Sequence, residues 1–335
     1  MTYRIMSFDG GDIGRAGVFL SSLERRVEAL GSSVVKNTDL YVGTSAGAVA
    51  AILLAWHSDP VLAFEGLLRF DDEVRVQGMA GQSPWSVTGT FLGTNAALCQ
   101  DKIRRFCDDT FGEGAKLSDL KRSVLVTAVQ LDDGSSVAEH RSWRPRLFTN
   151  LPADPSGDEL LADVILRTTA MPIQYPIYQG SQGIGPGYVD GGVAANNPAM
   201  MALTHVLPSR MLKDIALLSI GSPRNVLGKR TFLAPDLKDG AANWGYRQWL
   251  LDPFDPMILL DLFLQSGVAA VNAQCQQLLG AAYLRIDPPA VTGPIWNSQG
   301  TNEMVDLTVE WLGSIGWNPA PVPAKAASTA MEPVA

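Results

Sequence analysis

Asp39-Leu40-Tyr41-Val42-Gly43-Thr44-Ser45-Ala46-Gly47, followed without a break by the apolar run Ala48 to Trp56, decides the reading of this chain. Asp39 to Val42 is short and apolar, as a buried strand is, and the Ala- and Leu-rich run after it is long enough for a helix. Between them Gly43 and Gly47 leave room for a tight turn with Ser45 at its apex. Strand, turn and helix in that order fit the G-x-S-x-G nucleophile elbow. A helix starting there directs its unpaired N–H groups and positive dipole end at the serine, which favours a developing alkoxide or oxyanion. The same five letters also describe an ordinary turn capped by serine, so the rest of the chain must decide.

Outward from the elbow, strands alternate with helices. Tyr3 to Phe8 is an apolar run ending in Asp9-Gly10-Gly11, and Val18, Leu20, Leu23, Val27 and Leu30 recur at helical spacing up to Gly31. Ser123 to Leu131 and Ile215 to Ile220 read as buried strands, and Asp158 to Thr169 and Pro198 to Leu207 as helices. Tyr188-Val189 leads into Asp190-Gly191-Gly192, residues 244 to 280 are helical in pattern, and Tyr283 to Ile286 is a last strand. The alternation predicts an α/β fold with a parallel sheet covered on both faces. One catalytic domain is expected over residues 1–318. The Gly-, Ser-, Thr- and Pro-rich stretches 71–97 and 222–244 read as insertion loops or lids, and the Pro/Ala-rich 319–335 as a disordered tail.

Composition narrows the function. With 335 residues, 46% hydrophobic and 18% charged, the chain can bury a large core. A net charge of −8 disfavours nucleic acid as a partner and opposes loose attraction to anionic lipid, so peripheral membrane contact requires local basic or apolar patches. Cys99, Cys107 and Cys275 lack metal-ligand spacing, and Cys99 and Cys107 read as packing residues. No secretory signal is visible, Ala46 to Trp56 is about half the length of a membrane span, and a cytoplasmic protein is expected.

Two further constellations join the elbow. The turn Asp9-Gly10-Gly11-Asp12 exposes backbone N–H groups able to form an anion nest. It satisfies neither G-x-G-x-x-G nor the P-loop pattern, and Arg15 behind it reads either as a support of the loop or phosphate contact or as a solvated first-turn residue. Asp190-Gly191-Gly192 holds a carboxylate at a turn that can approach another loop closely, a candidate base for Ser45. A conventional triad needs a histidine after the acid, and only His205 follows Asp190, within a helical segment. His57 ends the elbow helix, and His140 lies in a basic, aromatic stretch from His140 to Arg146 that reads as a loop able to touch lipid headgroups.

Asp9-Gly10-Gly11 with Arg15, Gly43-Thr44-Ser45-Ala46-Gly47 and Asp190-Gly191-Gly192, in this order, resemble the patatin-like phospholipase family, as do Phe148-Thr149-Asn150, Thr168-Thr169-Ala170-Met171-Pro172 and Asn196-Asn197-Pro198. The resemblance spans roughly residues 3–222. It implies a three-layer αβα sandwich with a mainly parallel central sheet, a Ser-Asp dyad without histidine, and metal-independent lipid acyl hydrolysis with no cofactor. Asp12 stands where the family has its third glycine, and Gly14 precedes Arg15. An acidic Asp12 opposes an oxyanion unless its side chain turns away, which leaves Gly10 and Gly11, with Ala46 after the nucleophile, as the expected donors. Met171 and Gln174 also depart from the usual pattern and bear on substrate choice. The expected function is an esterase of phospholipase A or lysophospholipase type with Ser45 as nucleophile and Asp190 as base. A serine esterase using His205 and a catalytically silent lipid-binding module are the alternatives.

Overall fold

The computed structural model describes residues 2–57, 59–76, 96–152, 154–180, 183–222, 244–250, 257–288 and 299–317. Among the described residues seven strands form one sheet: β1 (Tyr3–Phe8), β2 (Leu40–Thr44), β3 (Ser123–Gln130), β4 (Arg144–Thr149), β5 (Tyr188–Asp190), β6 (Ile215–Ile220) and β7 (Tyr283–Ile286). The order is β4-β3-β2-β1-β6-β7, with β5 also on β3. The β1–β2, β2–β3, β1–β6 and β6–β7 pairs are parallel, while β4 and β5 run antiparallel to β3.

Helices α1 (Ile13–Glu28), α2 (Ala46–Trp56), α3 (Pro60–Phe70), α4 (Asp101–Phe111), α5 (Leu161–Thr168), α6 (Gly192–Ala195), α7 (Ala199–Val206), α8 (Tyr246–Leu250), α9 (Ile258–Leu279) and α10 (Gln299–Ser314) surround it. Alternate strand residues enter opposite cores, because successive side chains of a strand point to opposite faces. Met6, Tyr41, Val126 and Leu218 pack with α1, α2, α3 and α10 on one face. Ile5, Leu40, Leu125 and Leu217 pack with α7 and α9 on the other. The strands are therefore buried on both sides, and the three-layer α/β architecture is present.

Element boundaries depart from the sequence reading in instructive places. Asp71–Val76, expected to open a loop, continues α3 as a π-helix. Most of 71–97 and 222–244, and all of 319–335, fall outside the described residues. Arg144 to Arg146, expected in a loop, enters β4, where Arg144 lies opposite Gln130 and hydrogen-bonds its Oε1, and Arg146 stacks over Phe148. Cys107 and Cys275 are buried, but Cys99 is exposed, so packing does not account for it. α9 is longer than the elbow helix and apolar enough to cross a membrane by length and composition. A stripe of Asp261, Leu264, Cys275 and Leu279 packs on the body, leaving Leu262 and Phe263 exposed.

Candidate active site

The elbow is built by close approach. A Cβ on Gly43 would lie 2.5 Å from the amide nitrogen of Ala48, and one on Gly47 would lie 2.5 Å from the carbonyl oxygen of Phe8. At neither position does a side chain fit without the neighbouring backbone moving, so the geometry of the turn rests on both glycines of G-x-S-x-G. Between them Ser45 adopts φ 54°, ψ −129°, a conformation that costs a non-glycine residue about 1–3 kcal/mol. Thr168, the last residue of α5, offsets this by accepting the Ser45 N–H on its Oγ1 at 2.8 Å.

One strand brings the acid to the serine. Thr44 pairs with Thr127 at the end of β2, and Asp190 pairs with the next residue, Ala128. β4 runs along Leu125–Gln130, so β5 takes over the edge of β3 that β2 leaves. The Ser45 hydroxyl consequently donates to Asp190 Oδ2 at 2.6 Å, while the Gly192 N–H donates to Oδ1 at 2.6 Å. Asp190 is fully buried. Its own N–H donates to Ala170 O at 3.0 Å and that of Gly191 to Thr168 O at 3.3 Å, so the end of α5 braces both halves of the pair. A Cβ on Gly191 would lie 2.7 Å from the Thr127 carbonyl carbon, which shows how closely the acid loop sits on β3.

The loop after β1 is partly committed. The Gly10 N–H donates to Asn196 O at 3.0 Å, so Gly10, expected as an oxyanion donor, has its N–H engaged within the protein. Gly11, at φ +126°, has no acceptor for its N–H among the described residues. Asp12 is ion-paired to Arg15 Nε at 3.0 Å, so the carboxylate that seemed to oppose an oxyanion is compensated by the neighbour expected to support the loop.

Ser45 opens into a cavity of about 220 Å³ with Gly11 and Ala46 beside it and Phe70, Val74, Leu98, Ile103, Met171 and Tyr175 as apolar wall. Gln174 and the π-helical Asp71 add polar groups to that wall. The two unusual residues Met171 and Gln174 thus both line the cavity at Ser45. A larger hollow of about 550 Å³ lies among Tyr3, Asp39, Arg210 and Asp214, at the N-terminal ends of the strands. Ligands of parallel α/β sheets bind at the carboxyl ends, where Ser45 is, and the larger hollow holds none of the candidate chemistry.

Among the described residues no histidine lines the Ser45 cavity. His205 sits half-buried on α7, and the direct 2.6 Å contact between hydroxyl and carboxylate leaves no place for an imidazole between them. His57 caps α2 through its main-chain N–H to Leu53 O at 3.0 Å, and burial together with Lys121 lowers its pKa. His140 is exposed. Among the described residues no group of three or more His, Cys, Asp or Glu is placed to hold a metal. Thr168 and Asn196 lie in segments that share the family resemblance, but their particular roles, as a brace of Ser45 and as the acceptor of the Gly10 N–H, are set by contacts of the fold that those segments do not announce.

A strained serine at a strand-to-helix turn, beside a buried carboxylate at the carboxyl end of a parallel sheet, is an arrangement suited to nucleophilic acyl transfer. The sequence model of the family described as patatin-like phospholipase matches residues 6–203, more than half of the chain, and the chain belongs to that family of lipid hydrolases. It is 27% identical over 303 residues to Protein teg of Priestia megaterium, covering 85% of this chain and 87% of that one. It is 26% identical to a cGAMP-activated phospholipase of Pseudomonas aeruginosa (86% and 79% covered) and to Patatin-like protein 1 of Oryza sativa subsp. indica (86% and 75% covered). Among solved structures it is similar to VipD of Legionella pneumophila, with a TM-score of 0.43 and 11% identity over 93% of this chain and 67% of that chain.

Proposed function

We propose that this chain hydrolyses acyl esters of lipids in two steps at Ser45. Asp190 accepts the proton of Ser45 Oγ as the oxygen attacks the ester carbonyl. The tetrahedral oxyanion rests on the N–H groups of Gly11 and Ala46, and Asp190 returns its proton to the departing alcohol. Water, deprotonated by Asp190, then attacks the acyl-enzyme and releases the fatty acid and Ser45. Aspartate is a weak base for a serine, so the rate depends on the short contact and on oxyanion donors worth about 3 kcal/mol each. The single observation that carries this reading is the 2.6 Å hydrogen bond between Ser45 and the buried Asp190 at the elbow.

The apolar wall around Met171 fits an acyl chain. Access to bilayer lipid is supported by the direction of α9. It leads into β7, which starts at the N-terminal end of the parallel sheet, so the helix begins at the opposite end, beside the site. Leu264 packs by Gly192 there, and Leu262 and Phe263 project outward at 49% and 64% exposure. Exposed apolar and aromatic side chains at that end suit shallow insertion into a lipid surface.

Ser45→Ala and Asp190→Asn are each expected to lower turnover of a p-nitrophenyl ester by at least about 10³-fold while thermal unfolding stays near that of the wild type. Near-normal turnover by folded Ser45→Ala removes the proposal. Covalent labelling of the wild type, and not of Ser45→Ala, by a fluorophosphonate separates an enzyme from a silent lipid-binding module.

A further inference from the structure

Asp9 carries a carboxylate into the core at the point where β1 becomes the glycine loop, and it is only 6% exposed. Its partner comes from the far end of the chain. Arg285 of β7 forks it, Nη1 donating to Oδ1 at 2.9 Å and Nη2 to Oδ2 at 2.7 Å. The same guanidinium donates to Ser219 Oγ of β6 at 2.9 Å and twice to Asp287 Oδ1, at 2.7 and 3.0 Å. All five of its N–H positions that a planar fork can present in this plane are thereby directed at named acceptors. The backbone yields to it as well, since a Cβ on Gly221 would lie 2.7 Å from the guanidinium carbon.

Stability alone does not explain such a cluster, because well-packed apolar side chains can replace a buried ion pair with little or no loss. Its location does. The Asp9 N–H donates to Ile220 O at 3.1 Å, the Gly10 N–H to Asn196 O at 3.0 Å, and Ser222 Oγ to Asp12 O at 3.2 Å. Every tie on the loop from Asp9 to Asp12 leaves the Gly11 N–H aside. The carbonyls of Phe8 and Asp9 also press on Gly47, so the loop and the elbow share one contact surface.

We propose that Arg285 is a positioning residue for acyl transfer: by forking Asp9 it fixes the Asp9-Gly10-Gly11 turn against the elbow and aims the Gly11 N–H at the oxyanion. The inference rests on the Ser45 chemistry proposed above. Arg285 lies outside residues 6–203, so the part of the chain matched by the family's sequence model does not contain it. Geometry matters here as much as charge, because a lysine offers a point charge where arginine offers a planar fork.

The test measures kcat and KM for p-nitrophenyl butyrate, fluorophosphonate labelling rate and thermal unfolding in Arg285→Lys and Arg285→Met, with Ser45→Ala alongside. At about pH 8, Arg285→Lys is expected to unfold close to the wild type with kcat about tenfold lower. Arg285→Met is expected to lose about 10²-fold in kcat, the scale of one misplaced oxyanion donor. KM stays within about threefold in both, and labelling slows in parallel with kcat. The positioning role is overturned if folded Arg285→Lys and Arg285→Met keep kcat within about threefold of the wild type, or if the loss falls on KM alone. Should Arg285→Met fail to fold, Arg285→Lys decides by the same criterion. Activity retained by Ser45→Ala would instead strike the proposed function, so the two failures are distinguishable.

Discussion

Gly47→Ala adds one methyl group to a place that has no room for it. The new Cβ would stand 2.5 Å from the Phe8 carbonyl oxygen and nearer still to that of Asp9, whereas real Cβ contacts essentially never fall below 3.0 Å. Relief of the closest contact, to the Asp9 carbonyl oxygen, therefore requires at least 3.0 − 2.4 = 0.6 Å of separation between the elbow helix and the glycine loop. Both neighbours are main-chain atoms of a buried strand end, so no side chain can swing aside. Overpacking of this kind costs about 1–3 kcal/mol in stability. A displacement of about 1 Å in a catalytic constellation costs on the order of 10²-fold in rate, so a little over half of that corresponds to at least about tenfold. The expected outcome is a folded Gly47→Ala whose kcat for a soluble ester falls about 10- to 100-fold, with slower fluorophosphonate labelling and a modestly lower melting temperature. Gly114→Ala, where a Cβ meets nothing within 4 Å, serves as the control and should match the wild type. If Gly47→Ala were as active and as stable as Gly114→Ala, the claim that close approach sets the elbow geometry would be refuted.

Other outcomes follow from the same structure. Burial pushes the Asp9 carboxyl up to about 6 from 3.8, against the opposing pull of Arg285. The folded state therefore holds this proton more tightly than the unfolded chain, and the associated stability is present below the unfolded-chain value and lost as pH rises through about 6. Denaturant titrations of the wild type and Asp9→Asn across that window should diverge in slope, and parallel curves would contradict the burial argument. Replacing Leu262 and Phe263 together by aspartate should abolish co-sedimentation with phosphatidylcholine vesicles and reduce hydrolysis of vesicle lipid far more than hydrolysis of a soluble ester; undiminished vesicle binding would remove α9 from the lipid contact. Met171→Ala should widen the acyl cavity and raise the preference for longer p-nitrophenyl esters over butyrate by roughly tenfold, the scale of a small change in apolar pocket volume, and an unchanged chain-length profile would place the acyl chain elsewhere.

Much of the fold is legible because the strands are predominantly apolar runs bounded by turns. Tyr3–Phe8, Ile215–Ile220 and Tyr283–Ile286 can be read residue for residue, since the apolar majority of each outweighs Arg4, Ser7 and Arg285 and the run stops where a turn begins. β4 is hidden because it starts Arg144-Pro145-Arg146, and that charge belongs to the exposed beginning of an edge strand. Helix α9 shows no clean amphipathic period, since its apolar residues extend beyond the stripe that packs on the body. In the site, Ser45 and Asp190 stand out because special backbone geometry leaves glycines behind. Arg285 and Thr168 leave no such mark: their roles are fixed by what lies across the sheet, and an arginine in Arg285-Ile286-Asp287 looks like any solvated strand end. The commitment of the Gly10 N–H to Asn196 is likewise a tertiary contact that no local pattern announces.

The sharing of one edge of β3 by β2 and β5 has a bearing on how the enzyme comes into being. The serine belongs to a segment that can form early in synthesis, but its acid must wait until the chain has reached Asp190 and docked it at the register position next to Thr127. Such non-local pairing is the slow part of assembling a sheet. Under the proposed Ser45–Asp190 chemistry, a nascent or partly unfolded chain therefore carries an unarmed hydroxyl, and hydrolysis waits for the completed sheet.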